Sequence, residues 1–293
     1  MTSQETDQQQ GPSGLQVPLQ ARIMLSHAHL QHLAQEADLD ILHIKGYIFG
    51  SDTYPRDRAS TDVDVLVRPQ HLEAFIEATR QAGWKAVTSF ASGSDFHHAM
   101  TIYHPVWGLA DIHRSFPGLG LGTAQAFEAL WSQRRLKKMG GFPCQTTSLV
   151  DSWLLVYIHS ARSTLDFKPD VRYLNSLLSS RQREAVAQRV EQLGAELAYA
   201  AALGTLDRYS DHPDYLFWKA ASEPTTEVTR WYARVKNAPT FTEKLRTFLD
   251  IIFVNRDHLA MKLGHEPSAQ EVCQHFFSRF SRLYRSLRRK GSA

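Results

Sequence analysis

The stretch Lys45-Gly46-Tyr47-Ile48-Phe49-Gly50-Ser51-Asp52-Thr53-Tyr54-Pro55-Arg56-Asp57-Arg58-Ala59-Ser60-Thr61-Asp62-Val63-Asp64-Val65-Leu66-Val67 decides how this chain is read. Just before it, Ile41-Leu42-His43-Ile44 is a short apolar run bounded by Asp40 and Gly46, which predicts a buried strand. Val63, Val65 and Val67 alternate with Asp62, Asp64 and Leu66, and this period of two with β-branched residues predicts a second strand. Residues i and i+2 of a strand share a face, so Asp62 and Asp64 project side by side. Two bare carboxylates at ~4 Å repel by about 4 kcal/mol at an effective dielectric of ~20. A divalent cation offsets that cost, and Mg²⁺ is commonly held by one or two carboxylates together with substrate phosphates.

A third acid, Asp111, lies in Leu109-Ala110-Asp111-Ile112-His113-Arg114, a further predicted strand in which His113 is its same-face neighbour. Three carboxylates on two strands suit a two-metal site for in-line phosphoryl chemistry. An isolated Asp-x-Asp is usually a solvated strand face. Here the Lys45-Gly46 turn, Arg58 four residues before Asp62, and the later Asp-x-His strand weigh against that.

Outward from this core, residues 1–18 are polar, with a Gln run, two Gly and two Pro, and read as a disordered tail. Ile23, Leu30, Leu33 and Ala37 recur at helical spacing from about Leu19 to Ala37. Pro69 opens a helix with Leu72, Phe75, Ile76 and Thr79 on one face, and Gly83 ends it. Trp84–Phe90, His98–Tyr103 and Leu109–His113 read as strands, the last two joined through Pro105 and Gly108 as a hairpin. After about Gly122 strands mostly disappear, and helices are predicted near 123–131, 149–163, 168–179, 181–203, 225–236, 240–258 and 268–289. The expected class is α+β: a small mixed sheet with flanking helices over 19–122, followed by an all-helical domain over 123–293.

The chain has 293 residues, 43% hydrophobic and 22% charged, enough apolar material for a sizeable core, which excludes disorder over the whole length. Its apolar runs are too short to span a membrane, and no secretory pattern opens it, so a soluble cytoplasmic protein is expected. The formal net charge is +3. Arg279, Arg282, Arg285, Arg288, Arg289 and Lys290 concentrate positive charge at the C-terminus, leaving a near-neutral body that argues against a long nucleic-acid substrate. Cys144 and Cys273 make neither a disulfide framework nor a four-ligand zinc site.

The combination of a strand, Lys45-Gly46, Tyr54-Pro55, Arg58-x-x-x-Asp62-x-Asp64-x-Leu66-Val67 and a hairpin ending Asp111-x-His113 resembles the uncharacterised nucleotidyltransferase family of the DNA polymerase β superfamily, over about Leu42 to Ser163. The resemblance implies the small nucleotidyltransferase fold with a helical domain behind it. It implies transfer of a nucleoside monophosphate from an NTP, such as ATP, to an acceptor hydroxyl, with Mg²⁺ (or Mn²⁺) and release of pyrophosphate. Asp62 and Asp64 match the metal-binding pair, Asp111 the third carboxylate, and Lys45 with Gly46 the turn facing the triphosphate. The acceptor would be a small molecule, a peptide or protein, or an RNA end, with a small molecule or peptide/protein expected ahead of a long nucleic acid. A catalytically inactive nucleotide- or partner-binding module on the same fold is the alternative.

Two turns compete for the phosphate role. The wider superfamily places Gly-Ser about ten residues before Asp-x-Asp, and Gly50-Ser51 stands at that distance from Asp62. Lys45-Gly46 follows directly on the first strand, where a glycine lets backbone N–H groups approach phosphates. Arg58 is a candidate phosphate ligand, or else orders the loop by pairing with Asp57 or Asp62. His113 would orient Asp111 or contact the acceptor. In the helix after Ser148, His159 and Arg162 share a face away from the apolar stripe. The resemblance includes a similar histidine in this helix and an aspartate in the next, here Asp170, lining the cleft for nucleotide or acceptor. Arg134-Arg135-Leu136-Lys137-Lys138 reads as a solvated connector, with contact to an anionic acceptor the lesser reading. Phe276, Phe280, Leu283 and Leu287 form one stripe of an amphipathic last helix, read as packing rather than RNA or membrane contact. His97, His98, His104 and His113 fit no closed zinc pattern.

Overall fold

The computed structural model describes residues 17–91, 96–162, 168–237, 240–252, 259, 263 and 265–290. The predicted tail therefore lies almost wholly outside the described residues. Strand β1 (Ile41–Ile44) runs antiparallel to β2 (Asp62–Val67), with Ile44 opposite Asp64. Strand β3 is only Lys85–Ala86, on the edge of β4 (Ala99–His104), which pairs antiparallel with β5 (Gly108–His113). Strand β5 lies parallel to β2. On the other flank β1 lies parallel to β7 (Phe142–Thr146), which forms a hairpin with β6 (Arg135–Met139). One seven-stranded mixed sheet results, in the order β3-β4-β5-β2-β1-β7-β6.

Helices cover it. Helices α1 (Leu19–Glu36) and α2 (Leu72–Gln81) pack on one side, where Ile23, Leu30 and Phe75 meet Val63, Val65, Val67 and Ile112 in a fully buried core. A short 3₁₀ turn, Pro69–His71, leads into α2. Beyond β5, α3 (Thr123–Trp131) precedes the β6–β7 hairpin. Helix α4 (Leu149–Ser160) is apolar nearly all round and lies at the centre of the second core, with Leu42, Ile44 and Leu66 of the sheet and Leu174, Val190 and Ala198 behind it. Ser148 caps α4 by accepting from the Asp151 N–H.

Helices α5 (Lys168–Leu177), α6 (Ser180–Leu193), α7 (Glu196–Leu203), α8 (Tyr215–Ser222), α9 (Glu227–Asn237), α10 (Phe241–Ile252) and α11 (Ala269–Lys290) complete the chain. The side chains of α11 beyond Ser281, including Leu283 and Leu287 of the predicted stripe, lie outside the described residues, as does that of Phe280.

The sequence reading departs from the structure at four places, one of them the helix α8, which it does not predict. The helix expected over 181–203 is two, broken at Gly194, whose φ of +61° ends α6. The break brings Gly194 against Gly120, so closely that a Cβ at residue 120 would clash with the Gly194 carbonyl oxygen. The strand expected over Trp84–Phe90 pairs only at Lys85–Ala86. The basic run taken for a connector is the strand β6, so the sheet runs on past Gly122.

Candidate active site

The parallel pairing of β2 with β5 sets the site. Its register places Asp64 beside Asp111, Asp62 beside Leu109 and Leu66 beside His113. Across β5, Thr101 of β4 stands opposite Asp111 and donates its hydroxyl to Asp111 Oδ1 at 2.7 Å. Asp64 is buried and takes two donors on one oxygen: Lys45 Nζ at 2.5 Å and His113 Nε2 at 2.8 Å from Oδ1. Because the carboxylate only accepts, His113 presents its Nε2 proton to it, and burial with the Lys45 charge keeps the ring neutral. Lys45 reaches Asp64 from a backbone with φ of +60°, an uncommon conformation for a lysine. It precedes the 3₁₀ turn Gly46–Ile48. A Cβ at Gly46 would lie 2.9 Å from Ser60 Oγ, which holds this turn close to the chain entering β2.

Three carboxylates this close do not share one environment. Burial would raise Asp64, but the Lys45 ammonium and the His113 hydrogen bond outweigh it and hold Asp64 well below the usual carboxylate range. Asp111 is pushed up to about 7 by burial and by the Asp64 charge, against the Thr101 hydrogen bond. Burial and the Asp64 charge also raise Asp62, which stays partly open to solvent. His113 is lowered to about 4 by burial and by Lys45.

Behind the carboxylates lies a half-buried cation with two histidines. Arg162 follows the end of α4, and its Nη1 and Nη2 meet His98 Nε2 at 2.9 Å and His159 Nδ1 at 3.1 Å. A guanidinium only donates, so it fixes His98 with its proton on Nδ1 and His159 with its proton on Nε2. Burial keeps both imidazoles neutral, and the Arg162 charge adds to it. His98 lies 5.2 Å, ring to ring, from His113, so this network abuts the carboxylates. The Arg162 guanidinium also covers the Phe116 ring at 4.7 Å.

The structure thus brings Lys45, Asp62, Asp64, Asp111, His113, His159 and Arg162 into one neighbourhood, and Gly46 borders it. Arg58 and Asp170 form a clasp at the edge of this neighbourhood, where the Arg58 charge acts on Asp62. Arg58 Nε donates to Asp170 Oδ2 at 3.0 Å and its guanidinium lies 4.0 Å over the Tyr54 ring, so its partner is neither Asp57 nor Asp62. Gly50 and Ser51 sit in a turn tied to the helices: Trp153 Nε1 donates to the Asp52 carbonyl at 2.7 Å and Tyr173 Oη to the Ser51 carbonyl at 2.8 Å. Thr101 and His98 were not anticipated as site residues. Only the β4–β5 register brings Thr101 to Asp111, and only the position of Arg162 brings His98 in. No spacing along the chain signals either contact.

Among the described residues, the group of acid and imidazole ligand atoms that lie within 4.8 Å of one another is Asp64, Asp111 and His113. Two neighbouring carboxylates, one of which makes the other costlier to ionise, are a donor set for a hard cation. Asp62 stands beside this group rather than in it.

No protein-family model matches the chain, and no curated protein matches it. Among solved structures it is similar to the lincosamide antibiotic adenylyltransferase LnuA in its lincomycin-bound form, with 18% identity over 53% of this chain and 97% of that one and a TM-score of 0.38. It is similar also to ANT(2'')-Ia in complex with adenylyl-2''-tobramycin (13% identity, 64% and 98% of the two chains, TM-score 0.35). An antigenic nucleotidyltransferase-like protein from Paracoccidioides brasiliensis shows 13% identity over 61% of this chain and 92% of that one, with a TM-score of 0.36. Likeness at this level is too slight to carry either fold or activity.

Proposed function

We propose that the protein is a nucleotidyltransferase that moves a nucleoside monophosphate from an NTP to an acceptor hydroxyl. The observation that carries this reading is the pairing of Asp64 with Asp111 on neighbouring parallel strands, with Asp62 on the same face one step earlier. Asp64 and Asp111, with Asp62 or His113 completing the set, would hold a divalent cation such as Mg²⁺. When bound, the ion would neutralise phosphate charge and favour the deprotonated acceptor oxygen.

The acceptor oxygen attacks the α-phosphorus, its bond to that phosphorus forms, and the bond from the α-phosphorus to the β-phosphate oxygen breaks. Pyrophosphate leaves. Asp111, on the strand beside Asp64, is the group placed to take the acceptor proton. Thr101 holds that carboxyl in place. Lys45 would exchange its bond to Asp64 for a phosphate oxygen, which makes it the residue that couples donor arrival to release of Asp64. Arg162 would keep His98 and His159 uncharged beneath the donor. A hydroxyl-bearing small molecule or peptide is the favoured acceptor class, because the body is near neutral, and a cytoplasmic setting would supply both NTP and Mg²⁺.

The test is titration of ATP, GTP, CTP and UTP, with and without Mg²⁺, into wild type and Asp62→Asn/Asp111→Asn. Metal-dependent binding of an NTP that the double variant loses is the expected result. Failure of a folded wild-type sample to bind any NTP overturns the reading.

A further inference from the structure

Outside the carboxyl ends of the parallel strands β2 and β5 lies a cavity of about 190 Å³, lined by none of Lys45, Asp62, Asp64, Asp111 and His113. Crevices at the carboxyl ends of parallel strands are favoured places for ligands. The deep walls are Leu66, Val67, Phe116, Ala126 and Phe127, all buried. Arg114 and Thr123 are the exposed lining residues and mark the mouth. The deep walls offer a water no side-chain partner, and a held water needs about two to four. An apolar cavity of about 150 Å³ admits a benzene ring, so this one has room for a single ring with a small substituent.

The wall formed by residues 114–121 is pinned from behind. The Gly120 N–H donates to the Leu193 carbonyl of α6 at 2.9 Å. Gly118, at φ +105°, sits so close to Ile158 of α4 and Ala198 of α7 that a Cβ there would clash with both. A wall fixed in this way cannot fall inward to fill the space. The mouth has a sign as well as a shape. The lining includes one cation, Arg114, and no acid. The Arg114 guanidinium lies 5.1 Å over the Phe90 ring, which steadies it. Among the described residues no carboxylate pairs with it. Thr123 opens α3, whose first turn carries no acid, so the helix start adds positive potential to the same rim.

We infer that this cavity binds a small aromatic carboxylate, with its ring between Phe116 and Phe127 and its carboxylate at Arg114. The volume and the apolar walls set the ring, and the positive mouth sets the charge. An inorganic anion would leave the walls unused, and a neutral ring would leave the Arg114 charge unanswered. The site stands apart from the transfer chemistry and does not depend on it. Phe116 joins the two places, since it is a wall of the cavity and also the ring that Arg162 covers at 4.7 Å. A bound ring therefore rests against the support of the guanidinium that holds His98 and His159.

The probe is benzoate, titrated into the ¹⁵N-labelled full chain without nucleotide or metal and followed by amide chemical shifts. Benzyl alcohol carries the ring without the charge, and acetate the charge without the ring. Benzoate should bind with a Kd of about 1 mM or tighter and move the amides of Ser115, Phe116, Leu119 and Ala126. Arg114→Gln should weaken benzoate by about fivefold or more and leave benzyl alcohol unchanged, while Arg181→Gln, an exposed cation of α6, should change benzoate by less than about twofold. Ala126→Leu fills the cavity and should abolish binding of both ring compounds. Should that variant fail to fold, Arg114→Gln and the three-ligand comparison decide. The inference is overturned if benzoate moves none of these amides at ~10 mM. It is overturned equally if acetate binds as tightly as benzoate, which leaves only an anion site, or if benzyl alcohol does, which leaves only an apolar void.

Discussion

At Asp111 the chemistry and the stability pull apart. A carboxyl pushed up to about 7 in the fold and titrating near ~3.9 when unfolded penalises the folded state at every pH above the unfolded value. Removing its charge should therefore help the metal-free protein. Asp111→Asn keeps an oxygen for the Thr101 hydroxyl and is expected to raise Tm at pH 7 in EDTA while abolishing turnover. Mg²⁺ should raise the Tm of wild type and leave that of the variant unmoved, which calorimetry in EDTA and in Mg²⁺ would read directly. Asp64 behaves in the opposite way. Asp64→Ala strands the Lys45 ammonium and the His113 N–H in the interior, and a broken buried pair costs about 3–5 kcal/mol. Loss of activity in that variant must be judged against its unfolding curve, whereas Asp62→Asn, at a partly open position, tests chemistry with the fold kept.

Between elements, the same logic applies where α3, α4 and α6 meet. Asp151, fully buried at the start of α4, takes Arg189 Nε of α6 at 2.6 Å, and Arg189 Nη2 also donates to the Ala129 carbonyl of α3 at 2.6 Å. Burial raises the Asp151 carboxyl in spite of Arg189. Arg189→Ala should lower stability by about 3–5 kcal/mol in urea denaturation, because it leaves Asp151 uncompensated, and Asp151→Leu/Arg189→Met should recover most of it. Neither partner is visible as such in the sequence, since 38 residues separate them. The elements that were legible are those whose pattern is local: β1 and β2 from their apolar and alternating runs, α4 from its apolar stripe after Ser148, the Asp-x-Asp face from a period of two. The β6–β7 hairpin was hidden because Arg135, Lys137 and Lys138 carry the charge of a solvated loop and Pro143 interrupts the β signal. Its strand character comes from pairing with β7, which no local pattern records. Likewise Asp64 and Asp111 were readable as candidates, but their juxtaposition, and the entry of His98 and Thr101, are products of register.

Over the whole molecule, the strongest pH dependence comes from histidines kept neutral in the interior. His27 and His43 face each other across α1 and β1, with Nδ1 atoms 2.8 Å apart and both rings fully buried. One ring donates and the other accepts, and both Nε2 atoms are buried without partners among the described residues. Burial lowers His27 to about 3 and His43 well below its ordinary value, and His98, His113 and His159 are lowered as well. The unfolded chain protonates these side chains below pH ~6.5 while the folded one does not. Stability is therefore whole above that pH and falls as pH drops, by about 1.4 kcal/mol per pH unit for each histidine involved. Asp111 works against this by one proton, since it is protonated in the fold below about 7 and ionised in the unfolded chain down to the ordinary carboxylate range, and the raised carboxyls of Asp62, Asp151 and Asp170 act in the same sense at lower pH. Between pH 7.5 and 5.5 the five histidines outweigh them, so acid should win. Urea midpoints at pH 7.5, 6.5 and 5.5 should decline steeply below 6.5, and His27→Leu/His43→Leu should flatten that decline by close to two protons. The double variant should cost little stability at pH 7.5, because replacing both partners of a buried polar pair by apolar groups of similar size is nearly neutral. If the decline is as steep in the double variant as in wild type, the pair is not the source, and the histidines around Arg162 carry the acid sensitivity instead.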